Sequence, residues 1–338
     1  MFTIARPAPA GGARMLGVGA YRPRRTVSND EVCARLDVDA DWVFARSGIR
    51  SRRAASDDET LVAMAVAAGR DALAASGLDA AAVGVTLVAT MSGGSAAPQI
   101  STRVAHEIGA VHGAAMDLGA ACSGFCYGLE VAAALVAAGS GRPVLLVGVE
   151  RMSDIIDPTD RSTAFLFGDG AGAVVVGPSA DPGIGPVAWG ADGGQSDLIV
   201  QSPTFLEAAR SPGEGVAGLR MQGPSVFRWA TSRMVPLAEE ALTAAGMKAE
   251  QLDAFVPHQA NARITDALVR GLRLPEHVTV ARDVADTGNT SAASVPLAMH
   301  ATVAAGTAHP GDHALLVGFG AGLTFAAQVV TLPAVRAG

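Results

Sequence analysis

The chain repeats itself. PVLLVGVE at 143–150 returns as HALLVGFG at 313–320, and GDGAGAVVVG at 168–177 returns as GFGAGLTFAA at 318–327. The offsets are 170 and 150 residues, so one copy carries roughly 20 extra residues between its two echoed pieces. A duplicated αβ unit with a loop inserted in one copy accounts for this pattern. Two such halves pack as layered sheets and helices, with a site where they meet. At 338 residues there is ample chain for two such units and their cores.

Strands and helices alternate in both halves. ARMLGVGAYRP reads as a first strand. SNDEVCARL opens with a capping box, Ser28 and Glu31, and continues as a helix expected to bury Cys33. DETLVAMAVAAGRDALAASG is a helix closed by a C-terminal Gly. VGVTLVAT, AAMDL and PVLLVGVE are short apolar runs suited to buried strands. Between the last two, DLGAACSGFCYGLEVAAALVAAG (117–139) starts a helix near Cys122. QSPTFLEAARSPGEGVAGLRMQG (201–223) is punctuated by Gly and Pro, a candidate lid or surface loop.

Composition narrows the function classes. Apolar residues make up 49% of the chain and charged ones 17%, as in a compact, largely buried α/β protein. A formal charge of −7 disfavours general affinity for nucleic acid or an anionic membrane, while leaving room for a local basic patch. The N-terminal stretch lacks a signal-like apolar region, and no apolar run is expected to reach the ~18 residues of a membrane helix. Cys33, Cys122 and Cys126 do not make a disulfide framework in a chain of this size. A soluble, cytoplasmic protein is the expectation.

GVGAYR (17–22) departs from a dinucleotide loop, with Arg22 at the third Gly position and a proline next. GDGAG and GFGAG lead into strand-like runs, which disfavours nucleotide binding; GFGAG suits a tight turn presenting amide donors inside a site. No HExxH, CxxC pair or carboxylate cluster has metal spacing, so no metal is expected. Cys122 and Cys126 lie one helical turn apart. A disulfide there would be strained, and Cys126 reads as packing.

Six of the seven histidines, His309 and His313 among them, sit in settings that read as surface or loop. His258 differs, because in LDAFVPHQANARITDAL it stands at the end of a strand, where ligand sites form in α/β proteins. Pro257 fixes the backbone there, and Gln259 and Asn261 are candidate polar partners. In TGNTSAASVPLAMH (287–300), Asn289 reads either as a helix N-cap or as a functional amide. Together the three suit acyl chemistry. A helix N-terminus favours the thiolate of Cys122, a His accepts its proton, and an Asn hydrogen-bonds a developing oxyanion. Papain-like proteases share the Cys–His–Asn order, but no CGSCW-type stretch surrounds Cys122.

These motifs resemble the thiolase superfamily, and within it the β-ketoacyl-acyl carrier protein synthase III family. DADWVFARSGIRSRR, DLGAACSGFCYGL, DPTDRSTAFLFGDGAGAVVV, VPHQANARI, GNTSAASVP and GFGAG follow the family's order over nearly the whole chain. The resemblance implies an α/β thiolase fold, a duplicated αβαβα five-layered sandwich. Its halves would be 1–180, carrying the nucleophilic Cys, and 181–338, carrying His and Asn. It implies a homodimer with acyl-CoA and malonyl-acyl carrier protein as substrates, and no cofactor. Cys122 would hold the acyl group, while His258 and Asn289 stabilise the enolate formed as the malonyl group loses CO₂. The oxyanion hole would use the backbone amides of Cys122 and Ala321, a turn position where many members carry Gly.

Carried over by position, Trp42 and Arg161 would clamp the adenine of coenzyme A with Arg46 nearby, and Phe227 and Asn261 would line the pantetheine channel. Arg46, Arg228 and Arg263 would form a basic rim for the acidic carrier protein. Ala97 stands where a partner subunit often contributes a bulky side chain to the acyl pocket, which implies room for a longer or branched acyl group. The 17–33 opening and the ERMSDIIDPTDRS and VFRWA segments resemble actinobacterial members, both fatty-acid-initiating and polyketide-priming, with a lean towards starter-unit priming. The rival readings are an acyltransferase of the same fold acting on an alcohol or amine, and a non-catalytic subunit that binds acyl carriers. Intact Cys122, His258 and Asn289 favour condensation over both.

Overall fold

The computed structural model describes residues 11–94, 97–140, 142–210 and 218–336. Strand β1 (Ala13–Tyr21) leads into a ribbon of β2 (Arg25–Ser28) and β3 (Ser51–Ala54), with α1 (Asn29–Cys33) and α2 (Ala40–Ser47) between its strands. Then follow α3 (Leu61–Ser76), β4 (Val85–Ala89), α4 (Ile100–Ile108), β5 (Ala114–Leu118), α5 (Gly124–Leu135), β6 (Val144–Glu150) and β7 (Gly170–Pro178). The second series opens with β8 (Ala188–Ala191), then β9 (Ile199–Gln201), α6 (Phe205–Arg210) and β10 (Leu219–Met221). It continues through α7 (Gly223–Ala244), β11 (Ala254–Pro257), α8 (Ala262–Leu272), β12 (Thr279–Val280), α9 (Val284–Thr287) and α10 (Ser294–Ala304). Strands β13 (His313–Gly320), β14 (Thr324–Thr331) and β15 (Ala334–Val335) end the chain.

The duplication is visible strand for strand. One sheet runs β5-β4-β6-β7-β1 with β15 added at its edge, and the other runs β12-β11-β13-β14-β8. Parallel and antiparallel neighbours fall at the same places in both. Helices α5 and α10 fill the middle layer: Phe125, Leu129, Val295 and Met299 pack there against Leu146 of one sheet and Leu316 of the other. The alternate side chains of the same strands face outward. Leu145 and Val147 meet α3 and α4, and Leu315 and Val317 meet α7 and α8. Both faces of each sheet are therefore covered, which is why the strands read as near-continuous apolar runs.

Several expectations need correction. Ser28 caps α1 by accepting from the Glu31 amide, but the Glu31 carboxylate pairs with Arg25 rather than closing a capping box. Cys33 is half-buried against a small cluster around Val43 and Phe165, since α1 is a short surface helix. AAMDL is an edge strand with Met116 exposed, not a buried one. The run Ala121–Gly139, 19 residues, is long and apolar enough to cross a membrane by length and composition. It is apolar because its helix lies between two sheets. The 201–223 segment starts at the last residue of β9 and holds the helix α6 and β10, which pairs with β9, with 211–217 outside the described residues.

The extra residues of the first copy are the loop between β6 and β7. In the second copy β13 and β14 are joined by three residues, 321–323, whereas 151–169 separate β6 from β7. This loop packs Phe165, Leu166 and Phe167 against Val43 and Ile49 and builds a wall of the site.

Candidate active site

Cys122 and its repeat equivalent lie in matching turns. Residues Ala121–Ser123 form a 3₁₀ turn ahead of α5, and Ser291–Ala293 form one ahead of α10. The first residue of each turn is left-handed, Ala121 at φ 44° and Ser291 at φ 47°. Non-glycine residues hold that conformation at a cost of about 1–3 kcal/mol, and only where surroundings over-determine it. The expected helix start at Cys122 is therefore two residues early: α5 begins at Gly124. Strand β13 runs close beneath Cys122. A Cβ on Gly320 would lie 2.7 Å from both the amide nitrogen and the Cβ of Cys122. Gly320→Ala is expected to overpack by about 1–3 kcal/mol and, by displacing the sulfur, to slow self-acylation by about 100-fold. Thermal melts beside intact-mass time courses would check both effects; unchanged acylation would show that the close approach tolerates a methyl group.

The turn at 289–294 gathers the three candidate side chains. Asn289 Oδ1 accepts the Ser291 amide at 2.8 Å. This fixes the amide plane and makes Nδ2 the donor end. The Asn289 backbone is pinned by the inserted loop, donating to the Leu166 carbonyl at 2.8 Å and accepting from Gly168 at 3.0 Å. The Ser291 hydroxyl donates to Glu150 Oε1 at 2.9 Å, and its nearness to Cys122 lowers the thiol's pKa. Ser294 Oγ lies 2.6 Å from His258 Nδ1 and accepts the Gln259 amide at 3.4 Å. Cys122, His258 and Asn289 are 8%, 3% and 6% exposed. All three sit at the bottom of the interface between the halves.

The Ser294 contact decides the state of His258. Ser294 Oγ has no other acceptor among the described residues, so its proton is assigned to Nδ1 and the ring proton to Nε2. Burial pushes the His258 pKa down to about 3, so the ring is neutral and Nε2–H is a donor. Gln259 and Asn261, expected as its partners, are engaged elsewhere. Gln259 Nε2 donates to the Pro257 and Ala281 carbonyls while its Oε1 accepts from Val284, and Asn261 caps α8 by accepting from Ile264. The ring also packs edge-on against Phe319, 5.1 Å between centroids.

The Cys122 thiol is not poised as a thiolate. Burial pushes it up to about 12, with the Glu150 charge adding to the effect and the Ser291 hydroxyl and the Cys122 backbone amide opposing it. The expected help from the helix N-terminus is outweighed by removal from water. Cys126 is buried and likewise pushed up to about 12. A hydroxyl pair ties the nucleophile turn to the GFGAG turn: Ser123 Oγ is 2.8 Å from Thr324 Oγ1, which is 3.1 Å from the Ala120 carbonyl and 3.0 Å from that of Ala321.

A cleft of about 860 Å³ leads from the surface down to Asn289. Trp42 stands in its wall, edge-on to Phe165 at 5.2 Å, with the guanidinium of Arg46 4.4 Å and that of Arg161 4.9 Å from its ring centroid. Phe227 and Asn261 line the cleft, and Arg228 and Arg263 are exposed at its mouth, Arg263 lying 5.6 Å over the Phe227 ring. Ala97 is exposed and is not among the cleft residues. Among the histidines expected at the surface, His300 is half-buried on α10, 3.6 Å from Asp71, and burial lowers its pKa.

Two family models cover this chain: 3-oxoacyl-[acyl-carrier-protein] synthase III over residues 116–193, and the C-terminal model of the same synthase over 242–332. The chain is 49% identical to a β-ketoacyl-[acyl-carrier-protein] synthase III of Streptomyces glaucescens, covering 96% of this chain and 98% of the relative. It is 51% identical to one from Streptomyces lividans, over 95% of each. The chain belongs to the β-ketoacyl-acyl carrier protein synthase III family. Among solved structures it is similar to the priming β-ketosynthase of the R1128 polyketide pathway, with TM-score 0.96 and 50% identity over 99% of this chain and 100% of that one. The synthase III of Pseudomonas aeruginosa superposes with TM-score 0.88 at 38% identity, over 96% and 99%. The thiolase fold expected from the motifs is thus the fold of this synthase III chain.

Sequence reasoning on this synthase III missed Glu150, Ser123, Ser291, Ser294 and Thr324. Glu150 was legible only as the one charged residue ending an apolar strand; its partners come from 58 to 141 residues away in the chain.

Proposed function

We propose that this protein joins an acyl group from acyl-CoA to malonyl-acyl carrier protein by decarboxylative Claisen condensation, priming fatty-acid or polyketide synthesis. The observation that carries this is the pair of neutral donors, His258 Nε2–H and Asn289 Nδ2–H, held by Ser294 and Ser291 beside the Cys122 thiol. Cys122 sulfur attacks the acyl-CoA carbonyl, coenzyme A leaves as its thiol, and an acyl-Cys122 thioester remains. The malonyl thioester then loses CO₂, and the charge gathering on its carbonyl oxygen is met by the two donors. Neutral donors suit this step, because they stabilise charge that is absent from the ground state. The α-carbon attacks acyl-Cys122, the backbone amides of Cys122 and Ala321 receive the new oxyanion, and the β-ketoacyl carrier product departs. No cofactor enters.

Trp42 and Arg161 grip the adenine, with Arg46 beside them. Arg161 must swing out first, since a ring placed between the two needs about twice their present spacing. Phe227 and Asn261 line the pantetheine path. Arg46, Arg228 and Arg263 offer positive charge to an acidic carrier on a chain of net charge −7. Reversing Arg228 and Arg263 together to Glu is expected to raise KM for malonyl-carrier about tenfold on pre-acylated protein, with a flatter salt dependence. An unchanged KM places docking elsewhere.

The protein works as a soluble cytoplasmic homodimer whose halves, 1–180 and 181–338, supply nucleophile and donors. Edge strand β5, with exposed Met116 and nearby Val111, supports pairing with a second copy. The loop carrying Ala97 is anchored to that edge, as the amides of Ile100 and Ser101 donate to Asp117 at 3.0 and 2.8 Å. This supports a small Ala97 wall in the partner's acyl pocket, with room for a long or branched starter. The test is a panel of acyl-CoAs followed by malonyl-carrier, read by intact mass. One acyl group on Cys122 and a β-keto product are expected. Acylation at another residue overturns the assignment, and loading without condensation points to the acyltransferase reading.

A further inference from the structure

The two amides that would receive the oxyanion, those of Cys122 and Ala321, sit on turns from opposite halves of the chain. Among the described residues no backbone hydrogen bond joins these two turns. One pair of hydroxyls does. Ser123 is fully buried, and its Oγ lies 2.7 Å from the Ala120 carbonyl, which also accepts the Ser123 amide at 3.1 Å. Thr324 Oγ1 lies 2.8 Å from Ser123 Oγ, 3.1 Å from the Ala120 carbonyl and 3.0 Å from the Ala321 carbonyl. Thr324 thus touches both the residue that enters the nucleophile turn and the residue whose amide would face it. The duplication shows that the pair is particular to this turn. Ser123 corresponds to Ala293 in the turn before α10. Thr324 stands opposite Gly320 in the β13–β14 register, the place that Gly170 holds opposite Glu150 between β6 and β7. The copy without a thiol has Ala and Gly there, and both hydroxyls belong to the copy whose turn carries Cys122.

We propose that Thr324, with Ser123 as its partner, is a positioning residue that sets the Ala321 amide against the Cys122 turn and so fixes the width of the oxyanion hole. The contact at Gly320 brings the turns together, since a Cβ there would lie 2.7 Å from the Cys122 amide nitrogen. What that contact leaves free is the swing of Ala321 beyond it, and the Thr324 bond to the Ala321 carbonyl removes the swing. As the Cys122 sulfur bonds to a thioester carbonyl carbon, the π pair of the carbonyl moves onto oxygen, where both amides must converge. Donors already held in place need no rearrangement at that moment. A donor displaced by a fraction of an ångström loses much of its effect.

This inference rests on the reading of the site as an acyl-transfer centre, but its test needs no coenzyme A. Two reactions of Cys122 are compared in the full-length protein, each located by peptide mass. Phenyl thioacetate acetylates the thiol through a tetrahedral oxyanion and releases thiophenol. Iodoacetamide alkylates the same sulfur by displacing iodide from a saturated carbon, and no oxyanion forms. Thr324→Val keeps the side-chain shape and removes the hydroxyl. It should slow acetylation by about 30-fold while alkylation stays within about twofold of the parent. Thr324→Ser restores the hydroxyl and should restore acetylation. A merely structural loosening of the nucleophile turn would slow both reactions alike, and that result overturns the proposal. So does acetylation of Thr324→Val at the parent rate, or a parent protein that phenyl thioacetate does not acetylate at Cys122. If Thr324→Val fails to fold, Ser123→Ala decides in its place, since the equivalent turn already holds Ala: slower acetylation with unchanged alkylation upholds the proposal, and unchanged acetylation overturns it. A parent protein that takes acetyl from phenyl thioacetate but no acyl group from any acyl-CoA refutes the proposed function and leaves the role of Thr324 to be read from the same two rates.

Discussion

Cys122→Ala abolishes acyl transfer: no acyl adduct forms on intact mass with any acyl-CoA, and condensation falls by on the order of 10⁵-fold. The size follows from the route. Without sulfur there is no thioester to receive the enolate, and the two remaining donors stabilise an oxyanion that has nothing to attack. Folding should be spared, since the removed atom is one sulfur beside Gly320 and Ser291 at the rim of the middle layer. A melting temperature close to that of the parent, together with complete loss of loading, is the expected pair of readings. Retained loading at Cys126 or Cys33 would place the nucleophile elsewhere, although burial holds both thiols up.

Asn289→Ala separates the two half-reactions. Self-acylation persists, while condensation slows by about 10²–10³-fold, the usual loss when one buried oxyanion donor is removed. His258→Ala should fall in the same range on the same step. The pH dependence carries the sharper signature. With a pKa of about 3, His258 stays neutral from pH 8 down to pH 5, so condensation on pre-acylated protein shows no acid limb from this ring. The sign for stability is opposite to that of a salt-bridged histidine. The unfolded chain binds the proton more readily, so this group favours unfolding as pH falls from its ordinary value near 6.5 towards 3. Equal loss of both half-reactions in Asn289→Ala, or a condensation limb near pH 6.5 that His258→Ala removes, would refute the donor assignment.

Much of this was legible in the residues. The echoed strand pairs predicted the duplicated sheets, because buried parallel strands read as continuous apolar runs and repeat with the unit they belong to. The order of the Cys, His and Asn segments predicted the family. What misled was local reasoning about partners. Gln259 and Asn261 are near His258 in sequence, yet an N-cap and a loop carbonyl claim them, and the partner that matters, Ser294, is 36 residues away. The thiol was read from its helix and a histidine partner, whereas burial dominates its ionisation, with Glu150 and Ser291 acting from two other elements.

Cys122, His258 and Asn289, their order, and the strand-and-helix alternation that brings two like halves together were written in the chain itself, because periodicity and short motifs are local properties. Which atoms are protonated was decided only by the folded molecule. Desolvation between the two sheets holds Cys122 as a thiol and His258 as a neutral ring. The bonds that orient this turn, Ser294 to His258 and Ser291 to Glu150, exist because the turn before α10 lies against strand ends drawn from both halves. Burial and contact across the duplication are collective properties of the packed layers, and no window of sequence contains them.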